Sequence, residues 1–129
     1  MLLRFRMNTN ASLANQLEQR LILFATSIVS LSSKLPRNAQ GRHICTQILR
    51  CGTAVAANYS EARGAESRAD FIHKLKVVFK ELNETTIWLE IIAHASLLPA
   101  ATVTSILAEN RELCRIIASS IKTARGGEG

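Results

Sequence analysis

The 129-residue chain is poor in aromatic residues (one Trp, one Tyr, four Phe), in proline (two) and in cysteine (three). Each scarcity removes a class of answer. With so few aromatics there is no aromatic-studded strand of the kind that stacks nucleic-acid bases, and no helix-turn-helix signature stands in its place. Two prolines, and no persistent alternation of apolar and polar residues, argue against a strand-rich domain. Cys45, Cys51 and Cys114 are odd in number and lack metal-ligand spacing, so they read as buried thiols in a cytoplasmic setting rather than as a zinc or redox site. No apolar run approaches the roughly 20 residues that span a bilayer, because Arg, Lys, Glu or Asn interrupts each one. Met1-Leu2-Leu3-Arg4-Phe5-Arg6 is basic and apolar, but no signal-peptide core or small-residue cleavage site follows it. It reads as a ragged start, with Met7 as the alternative first residue.

What is present is 47% hydrophobic by type, carried by Ala, Leu and Ile. These residues recur at alternating spacings of three and four, the period of one helix face. Leu13, Leu17, Leu21, Phe24, Ile28, Leu31 and Leu35 predict a first helix from about Ser12 to Ser33, stopped by Pro36. Ile44, Ile48, Cys51, Val55, Asn58 and Ala62 predict a second, slim along Gly52, Ala54, Ala56 and Ala57 and closed by Gly64. Ser67, with Asp70 three residues on, resembles the start of a capping box for a third helix. That helix carries Phe71, Leu75, Val78, Leu82, Thr85, Leu89 and Ile92, with Ile72, Phe79, Thr86 and Ala93 widening the stripe. Leu98-Pro99 ends it, and Val103, Ile106, Leu107, Leu113, Ile117 and Ile121 define a fourth. Four helices of similar length joined by short turns predict an all-α chain folded as an antiparallel up-down four-helix bundle. The expected domain covers residues 1–125, with 126–129 as a flexible tail.

The formal net charge is +6, and a bundle of this kind would gather it at its ends. Arg4, Arg6, Arg63, Arg68, Lys122 and Arg125 fall at one end, and Lys34, Arg37 and Arg42 at the other, with the remaining cations between. Such an excess attracts phosphate backbones through counterion release. Arg63, Arg68, Lys74, Lys122 and Arg125 are the expected nucleic-acid contacts, reading backbone and shape rather than bases. The plainer alternative is a set of solvated helix faces.

Polar residues also sit where a helix pair would bury them. Asn58 lies on the inward register of the second helix, with Glu61 one turn on. Glu81, Glu84 and Trp88 occupy one side of the third, with Lys80 and Glu84 at pairing distance. Because the two helices should be antiparallel about Gly64, Asn58 and Glu61 are expected beside His73 to Lys76 rather than beside Glu84. Trp88 reads as an interface anchor or as core filler. No Glu in this set is followed by His at di-iron spacing, and His43, His73 and His94 lack an evident nucleophile partner. No catalytic residue, metal, cofactor or small-molecule substrate is expected.

The run Ala56-Ala57-Asn58-Tyr59-Ser60-Glu61-Ala62, the following Phe71-Ile72-x-Lys74-Leu75, and Lys80-Glu81-Leu82-Asn83-Glu84-Thr85-x-x-Trp88-Leu89 resemble the 23S rRNA intervening-sequence proteins. This family is also called the S23 ribosomal protein family and is related to accessory variability proteins of diversity-generating retroelements. The resemblance runs from about Ser27 to Ile117. Glu61-Ala62 stands where many relatives carry Glu-Gly, which leaves the Asn and Glu positions intact. The resemblance implies a four-helix bundle assembled into a closed ring, commonly a homopentamer with a basic surface, whose retroelement relatives bind nucleic acid and a reverse transcriptase. Surplus packing surface on the second and third helices agrees with assembly, which would also multiply the charge. Two readings follow: a non-enzymatic ring that binds structured RNA or a ribonucleoprotein, or an oligomeric scaffold for an acidic protein partner.

Overall fold

A computed structural model describes residues 11–126, and these contain four α-helices and no strand. They are α1 (Ala11–Ser32), α2 (Ala39–Arg63), α3 (Arg68–His94) and α4 (Ala100–Gly126). Gly126 therefore closes α4 instead of opening the tail, and the rest of the tail, like Arg4, Arg6 and Met7, lies outside the described residues.

The helix boundaries have local causes. Asn38 caps α2, its side-chain oxygen accepting from the Gly41 N–H at 2.8 Å, and Ser67 caps α3 by accepting from the Asp70 N–H at 3.0 Å. These bonds satisfy amides that a helix start leaves without an intrahelical acceptor. Gly64 ends α2, and its N–H donates to the Glu61 carbonyl at 3.1 Å. Beyond α3, Ser96 takes a left-handed φ of 55° and turns the chain toward α4.

The core forms where the four stripes meet. Leu21, Phe24, Ile28 and Leu31 of α1 pack with Ile48, Val55 and Tyr59 of α2, Leu75, Val78, Leu82, Leu89 and Ile92 of α3, and Val103, Leu113 and Ile117 of α4. Contacts between neighbouring helices run in opposite senses: Glu61 meets Lys74 and Cys51 meets Thr85 across α2 and α3, while Glu90 meets Arg111 and Asn83 meets Cys114 across α3 and α4.

Four expected positions need correction. On α2 it is Tyr59, 6% exposed, that enters the core, and Asn58 is only half-buried, its amide donating to the Ala54 carbonyl of its own helix. A step of four from Val55 followed by three to Ala62 fits a helix as well as three followed by four, and the aromatic ring gains more from burial than the amide. Leu13 is 64% exposed, because the first turn of α1 overhangs the core. Ile72 is buried in place of Phe71, which is half-buried, and Ala93 is exposed.

Two close approaches fix the packing of α2. A Cβ on Gly52 would lie 2.8 Å from Cγ2 of Ile28, so the missing methyl sets how near α1 can come. A Cβ on Gly41 would lie 1.8 Å from the Pro36 carbonyl oxygen, so the connection into α2 folds directly onto the helix backbone.

Candidate nucleic-acid interface

Which cations a ligand meets depends on which are already held by carboxylates. Arg20 of α1 takes Glu109 of α4 at 2.7 Å, and Arg63 of α2 takes Glu18 of α1 at 3.1 Å. Lys74 of α3 takes Glu61 of α2 at 2.8 Å, Arg111 takes Glu90 across α3 and α4 at 3.6 Å, and Arg115 takes Glu112 within α4. Arg50 of α2 bridges Glu81 at 3.4 Å and Glu84 of α3. Among the described residues, Lys34, Arg37, Arg42, Arg68, Lys76, Lys80, Lys122 and Arg125 have no carboxylate within ion-pairing distance, and the acids Glu66 and Asp70 have no cation within it.

The five expected phosphate contacts therefore divide. Lys122 and Arg125 are exposed and Arg68 half-buried, all without an acidic partner among the described residues. Arg63 and Lys74 spend their charge inside the molecule, on Glu18 and Glu61. The Glu61 to Lys74 pair falls where antiparallel helices about Gly64 would put it. It also raises the Lys74 pKa, chiefly through the hydrogen bond to Glu61.

The polar constellation on α2 and α3 is an ion-pair seam. Glu84 does not pair with Lys80: the Arg50 guanidinium takes it from the facing helix and, as its largest influence, holds its carboxyl below the usual range. Trp88 Nε1 donates to the same carboxylate at 3.4 Å. The indole is half-buried, packs against the core and meets His43 edge-on, with ring centroids 5.8 Å apart. Glu81 joins the seam from one turn earlier, while Glu61 is exposed.

Sequence reasoning missed a second polar link. Asn110 of α4 is fully buried, and Thr86 of α3 donates to its Oδ1 at 2.5 Å, while Asn110 Nδ2 has no hydrogen-bond partner among the described residues. Burial raises the pKa of both Cys51 and Cys114, so neither thiol is poised as a nucleophile.

A cleft of about 520 Å³ opens where α1 and α4 meet at the end of the bundle bearing the α2–α3 turn. Leu17, Tyr59, Phe71 and Ile116 line it with Arg20 and Arg63, the two arginines already held by Glu109 and Glu18. Among the described residues no group of three or more His, Cys, Asp or Glu side chains is placed to hold a metal ion, and no helix is long and apolar enough to cross a membrane.

Residues 14–119, which hold both the ion-pair seam and most of the uncommitted cations, match the family described as 23S rRNA-intervening sequence protein. The chain belongs to that family. A crystal structure from the S23 ribosomal protein family of Bacteroides thetaiotaomicron VPI-5482, described as a protein with unknown function, superposes with a TM-score of 0.79 at 37% identity. The alignment covers 84% of this chain and 97% of that one. No curated protein matches. In this intervening-sequence family member the matched span includes the Asn58 to Glu61 segment and the whole of α3, and with them the Arg50, Glu81 and Glu84 seam.

Proposed function

We propose that this protein is a non-enzymatic, basic up-down helical bundle that assembles into a homo-oligomer and binds structured RNA or a ribonucleoprotein through the phosphate backbone. One observation carries the reading: eight cations have no carboxylate partner among the described residues, against two such acids. Uncommitted cations fixed on a rigid bundle release phosphate counterions on binding and read no base. The opposed sense of neighbouring helices supports the up-down arrangement, and the family match supports an rRNA-related role. Assembly is supported by exposed apolar side chains on two helices: Ile22, Leu23 and Val29 on α1, and Ile87 and Ile91 on α3. Two different patches make a head-to-tail contact, which closes into a ring when the rotation permits, and the family resemblance favours five subunits.

Light scattering on the purified protein, alone and with structured rRNA fragments at low and moderate salt, tests the reading. An oligomer that gains mass with RNA, and loses it as salt rises, is the expected result. An oligomer that ignores RNA at low salt would overturn it. The scaffold for an acidic protein would then take its place, supported by Lys76 and Lys80 on the same helix as the exposed Ile87 and Ile91. A monomer would remove the assembly.

A further inference from the structure

Among the described residues, the two ends of the bundle differ in how much of their charge is spent. At the end bearing the α2–α3 turn, Arg63 is held by Glu18, and Arg68, Lys122 and Arg125, without an acidic partner among the described residues, are accompanied by two acids without a cationic partner there, Glu66 and Asp70, which flank Arg68 in the chain. The α1–α2 connection has no such offset. Lys34, Arg37 and Arg42 are exposed within nine residues of one another, and the stretch from Ser33 to His43 contains no acidic residue.

The backbone that carries these cations is locked. Leu35 is 6% exposed and anchors the connection to the core. Asn38 accepts from the Gly41 N–H through its side chain and from the Arg42 N–H, at 2.9 Å, through its carbonyl. The Pro36 carbonyl fills the space where a Gly41 side chain would stand. The Arg42 Nη1 donates to the Arg37 carbonyl at 3.2 Å, which holds the two arginines on one surface. A backbone already held in place limits the entropy lost on meeting a ligand to that of the side chains. Two are arginines, whose planar forks match phosphate oxygens.

We infer that the Lys34, Arg37 and Arg42 surface, and not the opposite end, is the principal contact for nucleic-acid phosphates. The inference rests on the nucleic-acid reading above and locates it. The exposed neighbours Ser33, Asn38, Ala39 and Gln40 are polar or small. They offer no apolar anchor for a protein partner, and the exposed ring beside them, His43, already meets Trp88 edge-on, so the ligand is a duplex or folded RNA met along its backbone.

Two charge-matched double variants decide it: Arg37→Glu with Arg42→Glu, and Arg68→Glu with Arg125→Glu. Each shifts the net charge equally, so a difference between them reports position rather than total charge. The probe is a short RNA duplex, titrated over a series of salt concentrations. Loss of the connection pair should weaken binding by roughly tenfold or more and lower the log–log salt slope by about 2, while loss of the other pair lowers it by less than about 1. Lys34→Gln with Arg37→Gln, whose side chains hold no bond among the described residues, should reproduce the direction without disturbing the fold. Equal losses from the two ends, or a larger loss from the Arg68 pair, overturn the inference and leave the nucleic-acid reading standing. No binding by the unaltered protein at the lowest salt overturns both. Equal competition by polyglutamate of matched charge would assign the surface to an acidic protein instead.

Discussion

Arg20 holds Glu109 in a two-pronged grip, Nε to Oε2 at 2.7 Å and Nη2 to Oε1 at 2.9 Å, and so joins the first helix to the last. A parallel fork of this kind is stronger than a single charged contact, but the side chains are 41% and 35% exposed and water screens them.

Arg20→Lys keeps the charge and removes the fork, so it should cost about 0.5 kcal/mol. An alanine double-mutant cycle on Arg20 and Glu109, read by urea unfolding, should give a coupling of about 0.5–1 kcal/mol that shrinks in high salt. A coupling independent of salt would mean that the pair acts through packing.

Three glycines, two within α2 and one at its C-terminal cap, should respond differently to the same substitution. Gly41→Ala drives a methyl into the Pro36 carbonyl and should cost more than about 3 kcal/mol, since backbone on both sides must move. Gly52→Ala meets only the Ile28 side chain and should cost about 1–3 kcal/mol. Gly64 has φ −93° and no near atom except the Glu61 carbonyl oxygen at 3.7 Å, so alanine there should stabilise by about 0.4–1 kcal/mol. Denaturant midpoints in any other order would show that these approaches are not what limits the packing.

These glycines also mark what the sequence discloses. The apolar stripes gave all four helices, and the Ser67 and Gly64 boundaries fell where local chemistry put them. The Glu61 to Lys74 pair was legible because both residues lie close to a known turn, so an error in register has little room to grow. Arg50 with Glu84 was not, since it lies about three helical turns further from Gly64 than that pair does, and a single-residue error changes the partner. Asn110 escaped because its stripe is apolar on either side, and a lone polar residue there looks like an interruption until the facing Thr86 is known.

Asn110→Leu removes a buried donor that has no partner among the described residues, and frees the single Thr86 hydroxyl proton to turn to the Leu82 carbonyl at 3.1 Å. The variant should be more stable by about 1 kcal/mol, seen as a higher urea midpoint. A loss of stability would show that the amide is satisfied in solution.

The seam predicts a pH response. Arg50 holds the Glu84 carboxyl below its usual range, so as the solution is acidified the unfolded chain takes up that proton before the folded one does. Its stabilising contribution is complete above the ordinary glutamate value of about 4.3 and is lost as pH falls through the lower folded value. Thermal melts from about pH 6 to about pH 2 should therefore fall less steeply for Glu84→Gln than for the unaltered protein. Superimposable acid limbs would remove Glu84 from the account.

The cleft has a topological consequence. Leu13, near the start of α1, and Ala124, near the end of α4, line the same cleft, so the path of the described residues returns close to where it begins. The α2–α3 turn is its mirror image in tolerance, with Gly64 and Glu66 exposed and nothing crowding Gly64. The order in which the helices are synthesised is thus separable from the order in which they pack. A chain cut at Gly64 and rejoined across the cleft would begin with α3, end with α2, and bury the same core.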